Sequence, residues 1–489
     1  MKRLPITLIL ILYLFISLPL NGAQSSISSQ MDFQPLNEIL SDYIRIGLEN
    51  NLALQQERFS LEKSLEALRE AKGMMLPSIS IEARYSRAGG GRTIDMPIGD
   101  LVNPIHKTLN QLLIAHGLSP LFPANIQNEV IPFLRKKEQD TKIRLVQPLF
   151  QPAIIYNIKI KKDMTAVEKA RIETYKRQLI EDISSAYYTY LKTVQITTIL
   201  KTTRKLLEEN LAFCQSLYKN NAVTEEVVLR SKAELSNLET KEAENDKNRK
   251  MAASYFNFLI NHPLDEEIRT IPISDSIPPL PFFKAIDIPK ETQNAIAHRE
   301  EFVQLQGALN AISHSITLHK SSILPTISAV VDYGYQGETY RFAKDSDYWM
   351  GSLVLSWNIF RGGQDQARKN QAIYEQKQMQ TKQMELEQQI RLQVRDAALA
   401  VEAAQKAVIA THDSLDSQEK AFFIISKKYR QDMILQIEFL KAQNDYTNAA
   451  VAYIIALYDY NIQVSQLERS SASFNLINSN SENTQEALQ

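Results

Sequence analysis

The 489-residue sequence contains little cysteine, little glycine and almost no net charge, and each shortage narrows what the protein can be. The single cysteine, Cys214, cannot form a disulfide within the chain, and on a helix we expect it to pack as a small apolar side chain. Only 14 glycines occur beside abundant Gln, Lys, Glu, Ala and Leu, a composition that favours long helices. The formal net charge of −1 gives no basis for binding nucleic acid or an anionic surface.

Long apolar runs are also missing after the N-terminus. Residues 1–23 have a basic start, an apolar stretch and a small residue before a polar one, which typify a secretory signal peptide, and we expect cleavage after Ala23. An uncleaved membrane anchor is the alternative. No other segment has the roughly 18 uninterrupted apolar residues that a spanning helix needs, so any further crossing of a membrane must use strands.

The sequence contains no recognisable catalytic or metal-binding arrangement. Its seven histidines are scattered, and the spacing of His314 and His319 puts them on different helix faces. The glycine runs at 89–91 and 362–363 lack the lysine and hydroxyl residue of a phosphate-binding loop and the spacing of a dinucleotide site. We therefore expect a protein that is not an enzyme, with no catalytic residue and no bound cofactor or metal.

The same order of patterns occurs twice along the chain. The run LPSISIEARYS, from Leu76, aligns without a gap with LPTISAVVDYGY, from Leu324. A second pair follows, LVQPLF from Leu145 and LSWNIF from Leu355. Each half reads as a helix, two alternating strands and a very long helical hairpin. Such an internal duplication decides the architecture before any single residue does.

The four strands alternate apolar and polar residues and carry aromatic residues toward their ends, a pattern typical of transmembrane β-barrels. A soluble, half-buried sheet is the alternative. Four strands cannot close a barrel, because the smallest single barrels need about eight, so two or three chains must combine. In a barrel the charged side chains of these strands point inward, and these are Glu82, Arg84, Lys142, Arg144 and Asp332.

The two helical stretches, about 153–262 and 361–470, are too long for a globular core. From Ile390 to Tyr429 apolar and small residues recur at alternating spacings of four and three, which predicts a coiled coil. Each stretch turns back on itself, near residues 218–224 and 429–434. We further expect single helices over 36–74 and 290–322, and a short helix from 103 to 117 in or over the mouth of the barrel.

These patterns divide the chain into parts with definite bounds. We expect a signal peptide at 1–23, a first repeat at 24–262 with a long outer loop at 87–140, a proline-rich linker at 263–289, a second repeat at 290–470 and a polar C-terminal tail at 471–489.

In this order of elements the sequence resembles the TolC family of outer-membrane efflux and secretion channels. The resemblance rests on Asn50-Asn51-Leu52, Ala71 and Leu76-Pro77 before the first strand, on Phe360-Arg361-Gly362-Gly363 after the fourth, and on residues 429–440. It implies a mixed α and β fold, in which a trimeric 12-stranded transmembrane β-barrel continues into a long periplasmic coiled-coil α-barrel, built from an internal two-fold sequence repeat.

The resemblance also implies a location and partners. The protein is expected in the outer membrane of a Gram-negative bacterium, in contact with outer-membrane lipid. A homotrimer would receive small molecules, or proteins in type I secretion, from an inner-membrane RND or ABC-type pump through a periplasmic adaptor (membrane fusion) protein. A secreted periplasmic coiled-coil scaffold without a channel is the alternative.

By the same resemblance, the periplasmic gate lies at the two helix turns. Glu438 aligns with a family carboxylate that faces the lumen, where a ring of three would favour cations. Lys441 and Ile434 stand where family members often have an acidic residue and an arginine, which alters the usual closing network. Glu438 and Lys441 are also spaced to pair with each other. The other tip candidates are Tyr429, Asp432, Tyr218, Glu225 and Glu226. Glu225 and Glu226 also fit the acidic first turn of a helix.

Overall fold

The computed structural model describes residues 36–270 and 285–473, together with residues 278, 280, 281 and 283. The expected signal peptide, part of the proline-rich linker and most of the expected tail lie outside these residues. No helix in the described ranges is long and apolar enough to cross a membrane.

The described chain alternates helices with pairs of strands. Its first part contains α1 (Leu36–Asn50), α2 (Leu52–Gly73), β1 (Ser78–Arg87), β2 (Thr93–Met96), α3 (Ile98–Ala115), β3 (Glu129–Pro132), β4 (Lys137–Phe150), α4 (Pro152–Lys219) and α5 (Glu225–Leu259). Its second part contains α6 (Ile288–His298), α7 (Glu300–Lys320), a 3-10 turn (Ser321–Ile323), β5 (Thr326–Gly337), β6 (Asp347–Ser356), α8 (Gln364–Tyr429) and α9 (Gln436–Ser471).

Two helices that the sequence predicts as continuous are interrupted. Asn51 ends α1 and caps α2, because its Oδ1 accepts a hydrogen bond from the Leu54 backbone N–H at 2.9 Å. Its Nδ2 donates to the Leu259 carbonyl oxygen at 2.8 Å, which ties the break to the end of α5. Arg299 has extended backbone and separates α6 from α7. Arg299 Nη1 donates to Gln393 Oε1 on α8 at 2.7 Å, so side chains at both breaks make contacts between elements, which a local pattern does not reveal.

The four long strands form one antiparallel sheet in the order β1-β4-β5-β6. Its central pair, β4 with β5, joins the two halves of the chain and places Arg144 opposite Asp332. Gly334 is needed in this pair, because a Cβ there would lie 2.5 Å from the Thr141 carbonyl oxygen and 2.6 Å from Lys142 Cβ. Strands β1 and β6 pair on one side only, so the sheet has two free edges.

The loop predicted at 87–140 ends earlier than expected, and it contains two short strands besides the expected helix. Strand β4 begins at Lys137, where it extends the pairing with β1 to Arg87. Between these strands, β2 and β3 form a two-stranded sheet that flanks α3. Helix α3 spans Ile98–Ala115, and so begins before the predicted residue 103.

The helices pack as two long hairpins, α4 with α5 and α8 with α9, and α4 also contacts α7 and α9. A core of aromatic rings joins α1, α4 and α5, where Tyr43 lies 4.8 Å from Phe256 and 5.8 Å from Tyr187 between ring centroids. The predicted seam of α8 is largely buried, although Ala398 rather than Ala397 occupies its fully buried position. Its buried residues are Ile390, Val394, Ala398, Val401, Val408 and Leu415.

Near the middle of α4 the structure buries a carboxylate, Glu181, which is 8% exposed. Burial, followed by the nearby Asp182, raises its pKa above the ordinary 4.5, although hydrogen bonds from Ser185 and Gln178 and the charge of Arg469 act in the opposite direction. The folded chain therefore binds this proton more tightly than the unfolded chain, and stability falls as the pH rises from 4.5 through the raised pKa.

Glu181→Gln should therefore raise the thermal unfolding temperature at pH 7, where the wild type holds a desolvated charge, and should lose this advantage at pH 4. Circular dichroism of the helices in detergent measures the effect. Glu244→Gln, at an exposed position of α5, is the control and should change neither value. An equal gain at both pH values would exclude the carboxylate's charge as the cause.

Candidate functional site

The four-stranded sheet has an apolar face that is exposed and an opposite, charged face whose central side chains are buried. On the apolar face Ile81, Trp349 and Leu353 are 76%, 78% and 71% exposed. On the opposite face the side chains of Asp332 and Asp140 are 0% and 13% exposed. This is the reverse of a soluble half-buried sheet, in which the apolar face is covered.

The charged face is held together by Arg144. Its Nε and Nη2 donate to the two carboxylate oxygens of Asp332, each at 2.8 Å, in a bidentate pair that links β4 to β5. Its Nη1 lies 3.2 Å from a carboxylate oxygen of Glu82 on β1. One guanidinium therefore ties together three of the four strands.

Lys142 occupies the centre of the same face. Its Nζ lies 3.7 Å from Glu82, 3.8 Å from Asp140 and 3.7 Å from Asp332, measured to carboxylate oxygens. Arg84, which is more exposed, lies 3.9 Å from Asp140. All five charged residues predicted for this face therefore meet in one network. With Asp140 and Tyr348 they form a group of seven residues, which we call the charge belt: Glu82, Arg84, Asp140, Lys142, Arg144, Asp332 and Tyr348.

Sequence reasoning missed two members of the belt. The hydroxyl of Tyr348 donates a hydrogen bond to Asp140 Oδ1 at 2.8 Å. Asp140 fell within the loop predicted at 87–140, and no pattern in the sequence indicated that Tyr348 would reach it. The same alternation that identified Lys142 and Arg144 includes Asp140 once β4 is extended back to Lys137.

The two hairpin turns have the same backbone structure. Asn221 and Asp432 have left-handed φ values of 58° and 53°, which Asn and Asp tolerate better than most residues. In the first turn the Ala222 N–H donates to Leu217 O at 2.9 Å, and in the second the Met433 N–H donates to Lys428 O at 3.0 Å. Both are helix ends of the Schellman type, so the predicted tip residue Asp432 shapes the turn.

Beside the second turn, polar side chains from both hairpins meet in a buried group. Gln436 Nε2, at the start of α9, lies 2.5 Å from Ser231 Oγ on α5 and 3.2 Å from Cys214 Sγ on α4. Ser231 Oγ donates to Asn210 Oδ1 at 3.2 Å. The predicted residue Tyr429 completes this group, which we call the tip cluster: Asn210, Cys214, Ser231, Tyr429 and Gln436.

Tyr429 connects the tip cluster to an aromatic stack. Its hydroxyl accepts a hydrogen bond from Asn210 Nδ2 at 3.3 Å, and its ring stacks on Phe439 with centroids 4.6 Å apart. Burial, followed by the contact with Cys214, raises the pKa of Tyr429 to about 12, so the phenol stays protonated at neutral pH. Cys214 is buried as predicted, but its neighbours are polar.

A groove between α4 and α8 opens beside this stack. Its volume is about 370 Å³, and Phe213, Phe422, Tyr429 and Phe439 supply aromatic walls. Glu209 and Arg430 lie at the same groove, so it carries both signs of charge.

The other predicted tip residues lie outside the tip cluster. Glu438 and Lys441 are both exposed, and no ion pair among the described residues joins them. Tyr218 is 44% exposed, and Ile434 is half-buried. Glu225 and Glu226 lie in the first turn of α5, where Glu226 pairs with Arg230.

The described residues contain no group of three or more His, Cys, Asp or Glu side chains that could hold a metal ion. His314 lies 3.5 Å from an Asp163 carboxylate oxygen, an ordinary contact between α7 and α4.

Sequence reasoning had no signal for the rest of the tip cluster, because Asn210, Ser231 and Gln436 are brought together only when the two hairpins pack.

Comparison with known proteins agrees with this architecture. Residues 292–473 match the family model described as outer membrane efflux protein. No curated protein sequence matches the chain significantly. Among solved structures, the CmeC outer membrane channel of Campylobacter jejuni is similar at a TM-score of 0.70 and 15% identity, over 89% of this chain and 85% of CmeC.

Two further structures are similar over comparable lengths. The outer membrane channel MtrE of Neisseria gonorrhoeae, in an open state, has a TM-score of 0.67 and 15% identity, over 88% of each chain. The outer membrane protein VceC of Vibrio cholerae has a TM-score of 0.66 and 12% identity, over 88% of this chain and 95% of VceC. At these identities the likeness shows a shared fold.

Proposed function

Since residues 292–473 match the family model described as outer membrane efflux protein, we propose that the chain is one subunit of a channel that carries the substrate of an inner-membrane pump out of the cell. Three copies form a homotrimer in the outer membrane of a Gram-negative bacterium, with their long helices in the periplasm. This is a transport function and not an enzymatic one.

The main support for this proposal is the sheet, which has exposed apolar side chains on one face and buried charged side chains on the other. Apolar side chains such as Ile81 and Leu353 are unfavourable in water but favourable in hydrocarbon. Glu82, Lys142 and Asp332 on the other face are stable beside one another and beside a water-filled interior. A sheet with this division of faces fits an outward surface in lipid and an inward surface on a channel.

The free edges of the sheet support oligomerisation. Unpaired backbone groups on β1 and β6 are costly in hydrocarbon, so a neighbouring copy must pair with each edge. Three copies of a four-stranded sheet give twelve strands, the number that the resemblance implies. The similar order of elements in 24–262 and 290–470 supports an origin by internal duplication, with residues 263–289 as the link between the repeats.

We place the gate and the docking site of a periplasmic adaptor at the hairpin turns. The tip cluster holds the two hairpins of one chain together there, and the exposed Glu438 is free to face the lumen. The adaptor connects the turns to an RND or ABC-type pump in the inner membrane. Whether the cargo is a small molecule or a protein depends on that pump.

A secreted scaffold without a channel is not favoured. Such a scaffold would have to keep Trp349, Leu353 and their neighbours in water as a continuous apolar surface, which soluble proteins avoid.

Two adjacent residues of β6 test the proposal. We expect the proposed trimer to stay associated on gels run without boiling, as a heat-resistant oligomer. Leu353→Arg should abolish this oligomer in the outer-membrane fraction, because a cationic side chain facing the middle of the bilayer costs about 2–4 kcal/mol per chain. Ser352→Arg, one residue away on the opposite face, should assemble nearly normally. Fractionation followed by gel electrophoresis without boiling measures both. Equal tolerance of the two substitutions would overturn the membrane assignment of this sheet.

A further inference from the structure

In the segment between β1 and β4, asparagine side chains of α3 form hydrogen bonds to the backbone that follows this helix. We call residues 88–136 the outer insert. Asn103 of α3 holds the backbone of Ile126 through both its amide atoms, at 2.7 and 2.8 Å. Asn110 holds the backbone of Phe122 in the same way, at 2.7 and 3.1 Å. The insert is therefore ordered by hydrogen bonds from one side of α3 to the stretch that follows it.

The other side of α3 is apolar and exposed. Leu101, Ile105 and Leu112 are 66%, 59% and 54% exposed. Together with Thr108 they follow spacings of four, three and four residues, which is the seam by which helices pack against one another. We call these four residues the α3 seam. This spacing fits packing against another helix.

We propose that the α3 seam packs against the α3 seams of neighbouring copies, so that the outer inserts form a helical cap over the external end of the channel. This inference rests on the proposed function. The outer insert begins where β1 ends, and β1 is a free edge of the sheet. In the proposed trimer each copy carries one outer insert at the same end of the barrel, next to an edge where two copies meet, so the three α3 seams surround one opening.

The composition of α3 argues against the membrane surface as its partner. Helices that lie in the membrane interface usually carry several Lys or Arg residues on the polar face and Trp or Phe on the apolar face. Helix α3 contains one lysine, no arginine, no tryptophan and no phenylalanine. Its polar side is occupied by Asn103 and Asn110, which are already bonded within the insert.

Cysteine cross-linking on intact cells tests the cap. A disulfide requires Cα atoms within roughly 4.4–6.8 Å of each other, so it reports direct contact. Under copper–phenanthroline oxidation, Ile105→Cys should give a covalent dimer in most of the protein, because one cysteine per chain can pair only two of three copies. Lys107→Cys, outside the seam, should stay monomeric and react with a hydrophilic maleimide. Cys214 is buried in both variants, and the parent chain gives the background.

Two results would overturn the cap. If Ile105→Cys stays monomeric and reacts with the hydrophilic maleimide as readily as Lys107→Cys, the seam faces water. If it stays monomeric and reacts only with a lipid-soluble maleimide, the seam lies on the membrane. Either result alongside a normal heat-resistant oligomer rejects the cap alone. Recovery of both variants outside the outer membrane would instead reject the proposed function.

Discussion

Gln436→Leu should open the channel at its periplasmic end. The substitution keeps the approximate size of the side chain but removes its contacts with Val227, Ser231 and Cys214. Each such hydrogen bond contributes about 1 kcal/mol, and each 1.4 kcal/mol is a tenfold change in an equilibrium. We therefore expect the open probability in a planar bilayer to rise at least about tenfold, because the two hairpins of each chain separate more easily.

Glu438→Gln is the matched control, since it lies two residues further along α9 and is exposed. It should leave the open probability unchanged but reduce the preference for cations, because it removes a negative charge that we place in the lumen. If Gln436→Leu has the same open probability as the wild type, the channel is not closed by the tip cluster. Unchanged ion selectivity of Glu438→Gln would remove that carboxylate from the lumen.

Arg144→Met should weaken the sheet more than any other single substitution in the charge belt. Asp332, with a side chain that is 0% exposed, would lose its bidentate partner and keep only Lys142 at 3.7 Å. Removing one member of such a pair leaves the other charge uncompensated. We expect the heat-resistant oligomer to dissociate at a much lower temperature, measured by gel electrophoresis after graded heating.

The double variant Arg144→Met/Asp332→Asn separates charge from packing. It removes the uncompensated carboxylate and should recover most of the lost heat resistance, as expected of two residues that act as one unit. Arg84→Met, at the exposed margin of the belt, should have little effect. Additive losses in the double variant would show that Arg144 acts mainly through its packing.

The sequence predicts the faces of the strands well and their ends poorly. Alternation determines which side chains share a face, so Glu82, Lys142 and Asp332 could be grouped without knowing the register. The extent of β4 depends on backbone pairing with β1, and for that reason Asp140 was assigned to a loop. Local pattern therefore predicts a face, whereas the length of a strand is decided by its partner.

At the proposed gate, too, the local features could be predicted from the sequence and the packing partners could not. Both turns and Tyr429 could be located from the sequence, because helix ends have local signals. The polar partners of Tyr429 could not, since Asn210 and Cys214 look like ordinary positions of a long helix. Only the packing of α4 against α9 reveals that they face another hairpin. The spacing of Glu438 and Lys441 allowed a pair that the structure does not form.

The pairing of β4 with β5 also constrains when the membrane-facing surface can exist. Arg144 and Asp332 are separated by 188 residues, and contacts that distant form slowly because a long loop must close first. The α4–α5 hairpin lies wholly within that loop and can fold earlier. During export the chain is therefore expected to present folded helices while the β1–β4 pair and the β5–β6 pair are still apart. This delays the complete apolar face, a surface prone to aggregation, until both halves have arrived.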